Sequence, residues 1–563
     1  VDARAGSSRR LTLPLAAWGV ARRRQGAAAA FLLVLATACA TFGVGFAATW
    51  TRSQHDQAAA AVGTDLSVAA PADALGSGAA VHAATGGRVS PATTRPTVLG
   101  SRANGGDQPV RLVAVDTRDA DGLLRGRPPA GGWGDATAGL APADTVSGVL
   151  LTETPTEVLV SGRVEDGVPV TAALSLVVQD GDGARAALAV GTVPLDGGTT
   201  TVSVAVPQDA RVVAVDARLS AAGGDPDRQR SPGFALDVTL RGASSAPGGS
   251  WSVATPPRDG FVVATLDEVS ADDVPDGVRV TLDGTVALPG LLWAEGTLTA
   301  LAFEPVDQVP VVVAAPLADE LGVGVGDGVQ VSLGLTRVEA TVQRVLPYVP
   351  SQPRGPAVLA DVDTLSRVAL SQGDLGPLTD AWWVGGDVHP GGAAALLADG
   401  AGPVTARAEV AHEAVDGPLR AAQRGAAALL VVAALALALA GTALHATTAL
   451  QSRELDVARL HGLGAPRRTV LASVLAEQGF LTAAPVLLGG LLGVLACWSV
   501  GPLLAVSADG LAPVPAAVPQ WPWPAQATAL VLLLVGCAVI VVPLAARAVR
   551  RSTIARLRME PLA

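Results

Sequence analysis

The chain has 563 residues, half of them hydrophobic and 16% charged, with a formal net charge of −11. It is too long for one ordinary domain, and its low charge points to a membrane protein. All 39 basic residues are arginine, so a phosphate loop with its lysine is excluded, and with it ATP hydrolysis by the usual site.

Residues 1–26 form an expected cytoplasmic segment ending in Arg22, Arg23 and Arg24. No charge falls between Arg24 and Arg52, and 27–49 is long enough to cross a bilayer as a first helix. That run exceeds the apolar core of a leader peptide, and AATWTRSQ after it reads as helix continuing out of the bilayer.

From 51 to 421 the chain carries 44 acidic residues against 23 arginines, a net of −21, while the remainder is net +10. Within 50–145, PVRLVAVDTRDADGLLRGR reads as a strand leading into a short helix. GSGAAVHAATGGRVSPATT (76–94) is of low complexity and reads as loop. Across 146–300, EVLVSGRV, VTAALSLVVQD, TTTVSVAVP, RVVAVDARLS and FALDVTLRG are short runs bounded by Gly, Asp and Pro. Several alternate apolar with small or polar residues, the pattern of a β-sandwich. Segment 301–421 returns to mixed character, with VPVVVAAPLADELGVGVGDGVQVSLG reading strand, helix, glycine turn, strand. The expected fold class is a membrane protein with a four-span α-helical transmembrane region. To this is added a large extracytoplasmic α+β domain, in parts 50–145 and 301–421, with an inserted β-sandwich.

Three more uncharged runs, about 425–448, 479–504 and 526–546, complete the four spans. Arg453, Arg459, Arg467 and Arg468 fill the connection between the second and third. Arg547, Arg550, Arg551, Arg556 and Arg558 follow the fourth, and the 503–525 connection has no basic residue. The positive-inside rule then puts both termini and the 449–476 loop in the cytoplasm and 50–421 outside. Arg420 and Arg424 count against this, but long translocated domains weaken such counts. Trp521 and Trp523 in QWPWP fit an interfacial belt, and the prolines fit a span not yet begun as helix.

No catalytic, cofactor-binding or metal-binding residue is expected. The six histidines form no HExxH or other metal spacing, GxSxG is absent, and Cys39, Cys497 and Cys537 all lie in apolar runs with no CxxC. Only His445 is ionisable within an expected span, near its cytoplasmic end, which disfavours an ion-coupled secondary transporter. No nucleic-acid partner is expected.

The stretch RELDVARLHGLGAPRRTVLASVLAEQ (453–478) interrupts the apolar text. Residues 449–461 have helical spacing, Gly462 and Gly464 break that helix, and Pro466 suits the first turn of a new one. Arg467 and Arg468 follow, and Glu477 stands at the membrane entrance. Topology alone explains neither the two glycines nor the glutamate; a compact charged hairpin can grip a soluble partner.

This stretch resembles the loop of the FtsX-like permease family, the MacB/LolC/FtsX type of ABC transporter membrane subunit. Its pattern E-x-x-x-x-R-x-x-G, followed by a Glu as the next span begins, falls on Glu454, Arg459, Gly462, Gly464, Arg467 and Glu477. The resemblance is strong over 420–563, fair over 14–130 and 305–420, and absent over about 140–300. LTLPLAAWGVARRRQG resembles the start of the second half of long duplicated members, so the chain is read as such a half or as a half-size permease that dimerises. The resemblance implies an FtsX-like permease domain over 422–563. Its loop residues Arg453, Glu454, Arg459, His461, Gly462, Gly464, Arg467, Arg468 and Glu477 would couple to a separate cytoplasmic ABC ATPase that binds the ATP, with no cofactor in this chain. It also implies a multi-pass protein of a bacterial plasma membrane, with lipid and a second permease copy or half as partners. The work would be export, lipoprotein extraction or mechanotransmission. The alternative is a membrane-anchored extracytoplasmic binding or scaffold protein.

Overall fold

The structure, a computed structural model, describes residues 27–101, 107–128, 130–221, 231–245, 250–254, 262–291, 293–334, 336–451, 457, 463, 466–507 and 509–551. The chain divides into two compact units, one drawn from residues up to 55 and from 412 onward, the other from 56–411. The principal helices are α1 (Ala27–Val62), α2 (Val362–Ser371), α3 (Arg407–Asp416), α4 (Pro418–Gln451), α5 (Arg467–Leu504) and α6 (Trp523–Arg551).

Four of them, α1, α4, α5 and α6, are long and apolar enough to cross a membrane. Large side chains such as Leu429, Val432, Leu487, Leu495, Trp498 and Val539 stay exposed on them; in water such a surface would drive aggregation, and in a bilayer it meets acyl chains. The 36 residues of α1 make about 54 Å of helix, more than the roughly 30 Å of a hydrocarbon core, so it runs past its uncharged stretch as AATWTRSQ suggests. The QWPWP expectation needs a correction. Helix α6 begins at Trp523, which leaves Pro522 before it and places Pro524 in the first turn, where the missing N–H has no intrahelical partner to lose.

In the 56–411 unit a nine-stranded mixed sheet contains β1 (Leu66–Ala69), β2 (Arg88–Ser101), β3 (Asp107–Val115), β4 (Val309–Ala314), β5 (Gly328–Leu333), β6 (Thr336–Leu346), β7 (Ala357–Asp361), β8 (Ala381–Gly385) and β9 (Val404–Ala406). Their order is β5-β6-β4-β7-β3-β2-β8-β1-β9, and β5 pairs again with β2. That second pairing, Val329 with Ser101 through Val331 with Leu99, closes six strands into a barrel. The interior is filled by Leu99, Leu112, Val311, Val313, Val331, Val342 and Val358, all almost fully buried, as expected when few strands leave only side-chain space inside. Strand β2 is long enough to serve twice. Its second half closes the barrel, and Arg88–Ala92 pair with β8.

Between β3 and β4 the chain builds two antiparallel sheets. One contains strands 264–274, 277–286, 233–241, 156–164 and 196–204; the other is centred on 211–221, which pairs with 149–151, 170–179 and 296–301. Alternate residues face one shared core: Val158, Val160, Val238 and Val280 from the first sheet meet Ala172, Leu174, Val215 and Ala217 from the second, the face-to-face packing of a sandwich.

The loop expected at 76–94 is also corrected. Ser77–Thr85 is a helix bounded by Gly76 and Gly86, at φ 73° and 65°, and β2 starts at Arg88. Within the helix four of nine residues are alanine, the strongest helix former, and a glycine stands at each end. The helix buries Val81 and holds Trp382, whose indole N–H donates to Ser77 Oγ at 2.9 Å.

Candidate functional site

The membrane helices are held by close backbone approach and a few buried hydrogen bonds. On α5, Gly489, Gly493, Cys497 and Gly501 are buried at four-residue spacing. A Cβ on Gly493 would stand 2.6 Å from Thr41 Cβ on α1, and one on Gly45 of α1 would stand 2.7 Å from Cys497 Sγ. Small residues in such rows let membrane helices approach where hydrophobic exclusion offers no drive. Between α4 and α6, Gly536 plays the same part against Leu439.

Polar side chains on α1 point into this packing. Gln526 of α6 donates from Nε2 to Thr41 Oγ1 at 3.0 Å, with both residues buried. The 505–522 connection also grips α1: Gln54 Nε2 donates to Val506 O at 3.0 Å, Gln520 N–H donates to Thr49 Oγ1 at 3.0 Å, and the Trp521 ring lies 3.1 Å from a Gly45 Cβ. Apart from Cys497 and Trp521, these residues were not singled out from sequence. The signal available was the GGLLG spacing on α5 and the Thr37, Thr41, Thr49 row on α1.

Residues 428–554 match the family model for the FtsX-like permease C-terminal domain. The chain carries an FtsX-like permease domain. Such domains are non-catalytic membrane subunits of ABC transporters, working with a cytoplasmic ABC ATPase. No curated protein matches the chain.

In this permease domain the match covers most of α4, all of α5 and α6, and the connection between α4 and α5. Of the expected loop residues, Arg453, Glu454, Arg459, His461, Gly462 and Gly464 lie outside the described residues. Arg467 and Arg468 are exposed in the first turn of α5. Pro466 is the residue before that turn, at φ −67° and ψ 143°, one position earlier than expected. Glu477 lies ten residues beyond the helix start and is 1% exposed, so it is a buried group of α5. Around it, Leu450 packs with Val474 and Ala545, and Val457 packs with Val470 and Val549. The C-terminal end of α4, the N-terminal part of α5 and the C-terminal part of α6 thus meet through apolar contacts that include Val457. Among the described residues no three His, Cys, Asp or Glu side chains come together as a metal site.

In the 56–411 unit the densest charge lies where the sandwich meets the barrel. Asp363, in the first turn of α2, takes Arg118 Nη2 at 2.7 Å, Arg185 Nη2 at 2.5 Å and Arg367 Nε at 3.2 Å. Arg185 comes from the sandwich strand 185–194. Arg367 is 1% exposed, also binds Asp144 at 2.8 Å, and lies 5.3 Å over the Phe303 ring. Burial alone would raise the Asp363 carboxyl, but Arg185, Arg118 and Arg367 hold it well below the usual carboxylate range. Two residues earlier, Asp361 caps α2 by accepting from Thr364 N at 3.0 Å and from Thr117 N and Oγ1 at 2.9 and 2.8 Å. Burial pushes it up despite those bonds. The same cause raises Asp180, which fastens the turn after strand 170–179 to Gly76 N at 2.8 Å.

Proposed function

We propose that this protein is the membrane subunit of an ABC-type assembly in which a separate cytoplasmic ATPase engages the 449–476 connection and drives motion of the 56–411 unit on the other side of a bacterial plasma membrane. The observation that carries the reading is the permease-family match over three long apolar helices that bracket a charged, glycine-bearing connection. In this reading Arg453, Glu454, Arg459, His461, Arg467 and Arg468 contact the ATPase, and Gly462 and Gly464 allow the turn. Buried Glu477 lies in the helix that the loop pushes. The contacts of Leu450 and Val457 with α5 and α6 support a loop that moves with its helices.

A partner's nucleotide state can shift the outer unit only through its differential affinity for two conformations of this chain. The work is export, lipoprotein extraction or mechanotransmission, in lipid and with a second permease copy or half. The test is co-purification of the chain with a nucleotide-binding subunit, followed by R459E and E454R. Both changes together should abolish assembly or nucleotide-stimulated ATPase activity. Normal assembly and activity after both would remove the loop from this role.

A further inference from the structure

The polypeptide passes between its two units only twice, within α1 at 55–56 and within α3 at 411–412. Both passages reach one carboxylate inside the 56–411 unit. Asp65 follows the end of α1 at Val62 by three residues, and Arg407 is the first residue of α3. Asp65 Oδ1 takes Arg407 Nη2 at 2.8 Å and Nε at 2.9 Å. Its Oδ2 takes Arg125 Nη2 at 2.6 Å and Nε at 2.8 Å, and Gly386 N–H at 3.2 Å. Each guanidinium brings two nitrogens to one oxygen of the carboxylate, so each oxygen holds one arginine by charge-assisted hydrogen bonds, and the Asp65 side chain is only 11% exposed.

The main chain repeats the link. Arg407 N–H donates to Asp65 O at 2.9 Å, Arg125 N–H donates to Gly63 O at 2.8 Å, and Asp65 N–H donates to Val384 O at 3.2 Å. Leu66 faces Ala406 across β1 and β9, so 65 and 407 are the next facing pair of that ladder. The end of α1 is further tied by Ser351 N–H to Ala60 O at 2.9 Å and by Arg127 to Asp56.

We infer that Asp65, with Arg407 and Arg125, is a positioning clamp that makes the exit of α1 and the entry of α3 move as one body. Motion of α1, or of α4 passed on through α3, then enters the outer unit at a single point rather than as two independent pulls. Helix α3 needs such a clamp. It joins the rest of its unit through β9, an edge strand of three residues paired on one side only, whose ladder alone would fray easily. The inference deepens the proposed function and rests on it for its purpose, though not for its geometry.

The experiment uses the full chain in lipid nanodiscs, with Cys39, Cys497 and Cys537 replaced by alanine. Amide hydrogen exchange is followed at 404–410, with Val311–Val313 of the barrel as folding control. D65A and R407Q should each speed exchange at 404–410 roughly tenfold or more while the barrel stays protected; R407Q keeps the Asp65–Arg125 pair and guards against simple misfolding. Facing residues joined by a ladder hydrogen bond have Cα atoms about 5.5 Å apart, a separation a disulfide can bridge. D65C/R407C should therefore regain protection on oxidation and lose it on reduction. Unchanged protection in D65A and R407Q, or no difference between the oxidised and reduced pair, overturns the clamp. With the ATPase partner present, a nucleotide-dependent exchange change in the outer unit should vanish in the reduced pair and return in the oxidised one. If the unmodified chain shows no nucleotide response, it is the ATPase reading that fails, and the clamp is judged by the nucleotide-free arm.

Discussion

Gly489 on α5 lies so close to Val34 on α1 that a Cβ at Gly489 would stand 2.4 Å from the Val34 carbonyl oxygen and 2.9 Å from Thr37 Cβ. The obstacle is backbone, which cannot rotate aside, so the two helices must separate to admit even a methyl group. G489A should therefore loosen the α1–α5 contact, and G489V should break it, at about 1–3 kcal/mol for the overpacked case. Gly490, the next residue, has nothing within 4 Å of its Cβ position, so G490A is the matched control and should be neutral. Thermal unfolding of the purified chain in detergent compares the three directly. Equal losses at 489 and 490 would mean that the close approach to Val34 does not decide the cost, since alanine's higher helix propensity favours both substitutions.

The Gln526–Thr41 hydrogen bond joins α6 to α1 where water is scarce. T41V leaves the Gln526 amide without its acceptor, and such losses between membrane helices average about 0.6 kcal/mol and reach about 1.7 kcal/mol. Q526L alone should lose a similar amount, whereas T41V with Q526L should lose less than the two single changes added together. Unfolding free energies of the four proteins in one detergent give the coupling. Strict additivity would show that the bond contributes nothing to helix association.

Asp361 and Asp363 should give the 56–411 unit opposite responses to acid. Asp361 is raised by burial, so the folded chain takes up its proton before the unfolded chain does, and stability rises as pH falls from neutral toward the ordinary carboxylate value near 3.9. Asp363 is lowered by its arginines; its contribution is complete above about 3.9 and disappears as pH falls further. The pH profile of stability should peak on the acid side of neutral, with Asp180 and Asp216 acting in the same sense as Asp361. D361N should flatten the rise below neutral, and D363N should remove the fall below about 3.9. D363N should also lower stability at pH 7 by about 3–5 kcal/mol, because Arg185 and Arg367 stay buried without their shared anion. Denaturant unfolding between pH 3 and 8, read by tryptophan fluorescence, tests both slopes.

Local patterns carried much of this architecture, and long-range pairing carried the rest. The alternation in FALDVTLR places Phe234, Leu236, Val238 and Leu240 on one buried face, and a strand with that alternation is readable from sequence alone. VPVVVAAPLADELG likewise becomes β4 and a helix stopped by Gly322 at φ 64°. The 76–94 segment misled because its glycines and polar residues mark a loop while its alanines favour a helix; burial of Val81 and the bond from Trp382 to Ser77 decide the matter, and Trp382 is some three hundred residues away. Barrel closure by β2 and β5 and the arginine groups around Asp65 and Asp363 have no local signature, since each joins residues from distant segments. The burial of Glu477 on α5 likewise has no local signature, since a lone charge beside an apolar run reads the same whether it is buried or exposed.

The chain's single tyrosine allows one more forecast with no competing signal. Tyr348 is 5% exposed, its hydroxyl donates to Arg127 O at 2.8 Å, and its ring meets Trp133 edge-on at 6.1 Å. Burial disfavours the phenolate and pushes the hydroxyl up to about 12. The sign follows: the folded state holds this proton more tightly than the unfolded one, so the associated stability is complete below about 10, the ordinary phenol value, and is lost as pH rises toward 12. Absorbance near 295 nm should therefore stay flat through about pH 10–11 while the 56–411 unit is folded. W133A, which opens the ring to solvent, should bring the midpoint down toward 10. A midpoint near 10 in the unmodified folded chain would mean that Tyr348 is solvated, and that the Arg127 segment beside Asp56 does not pack against the end of α1.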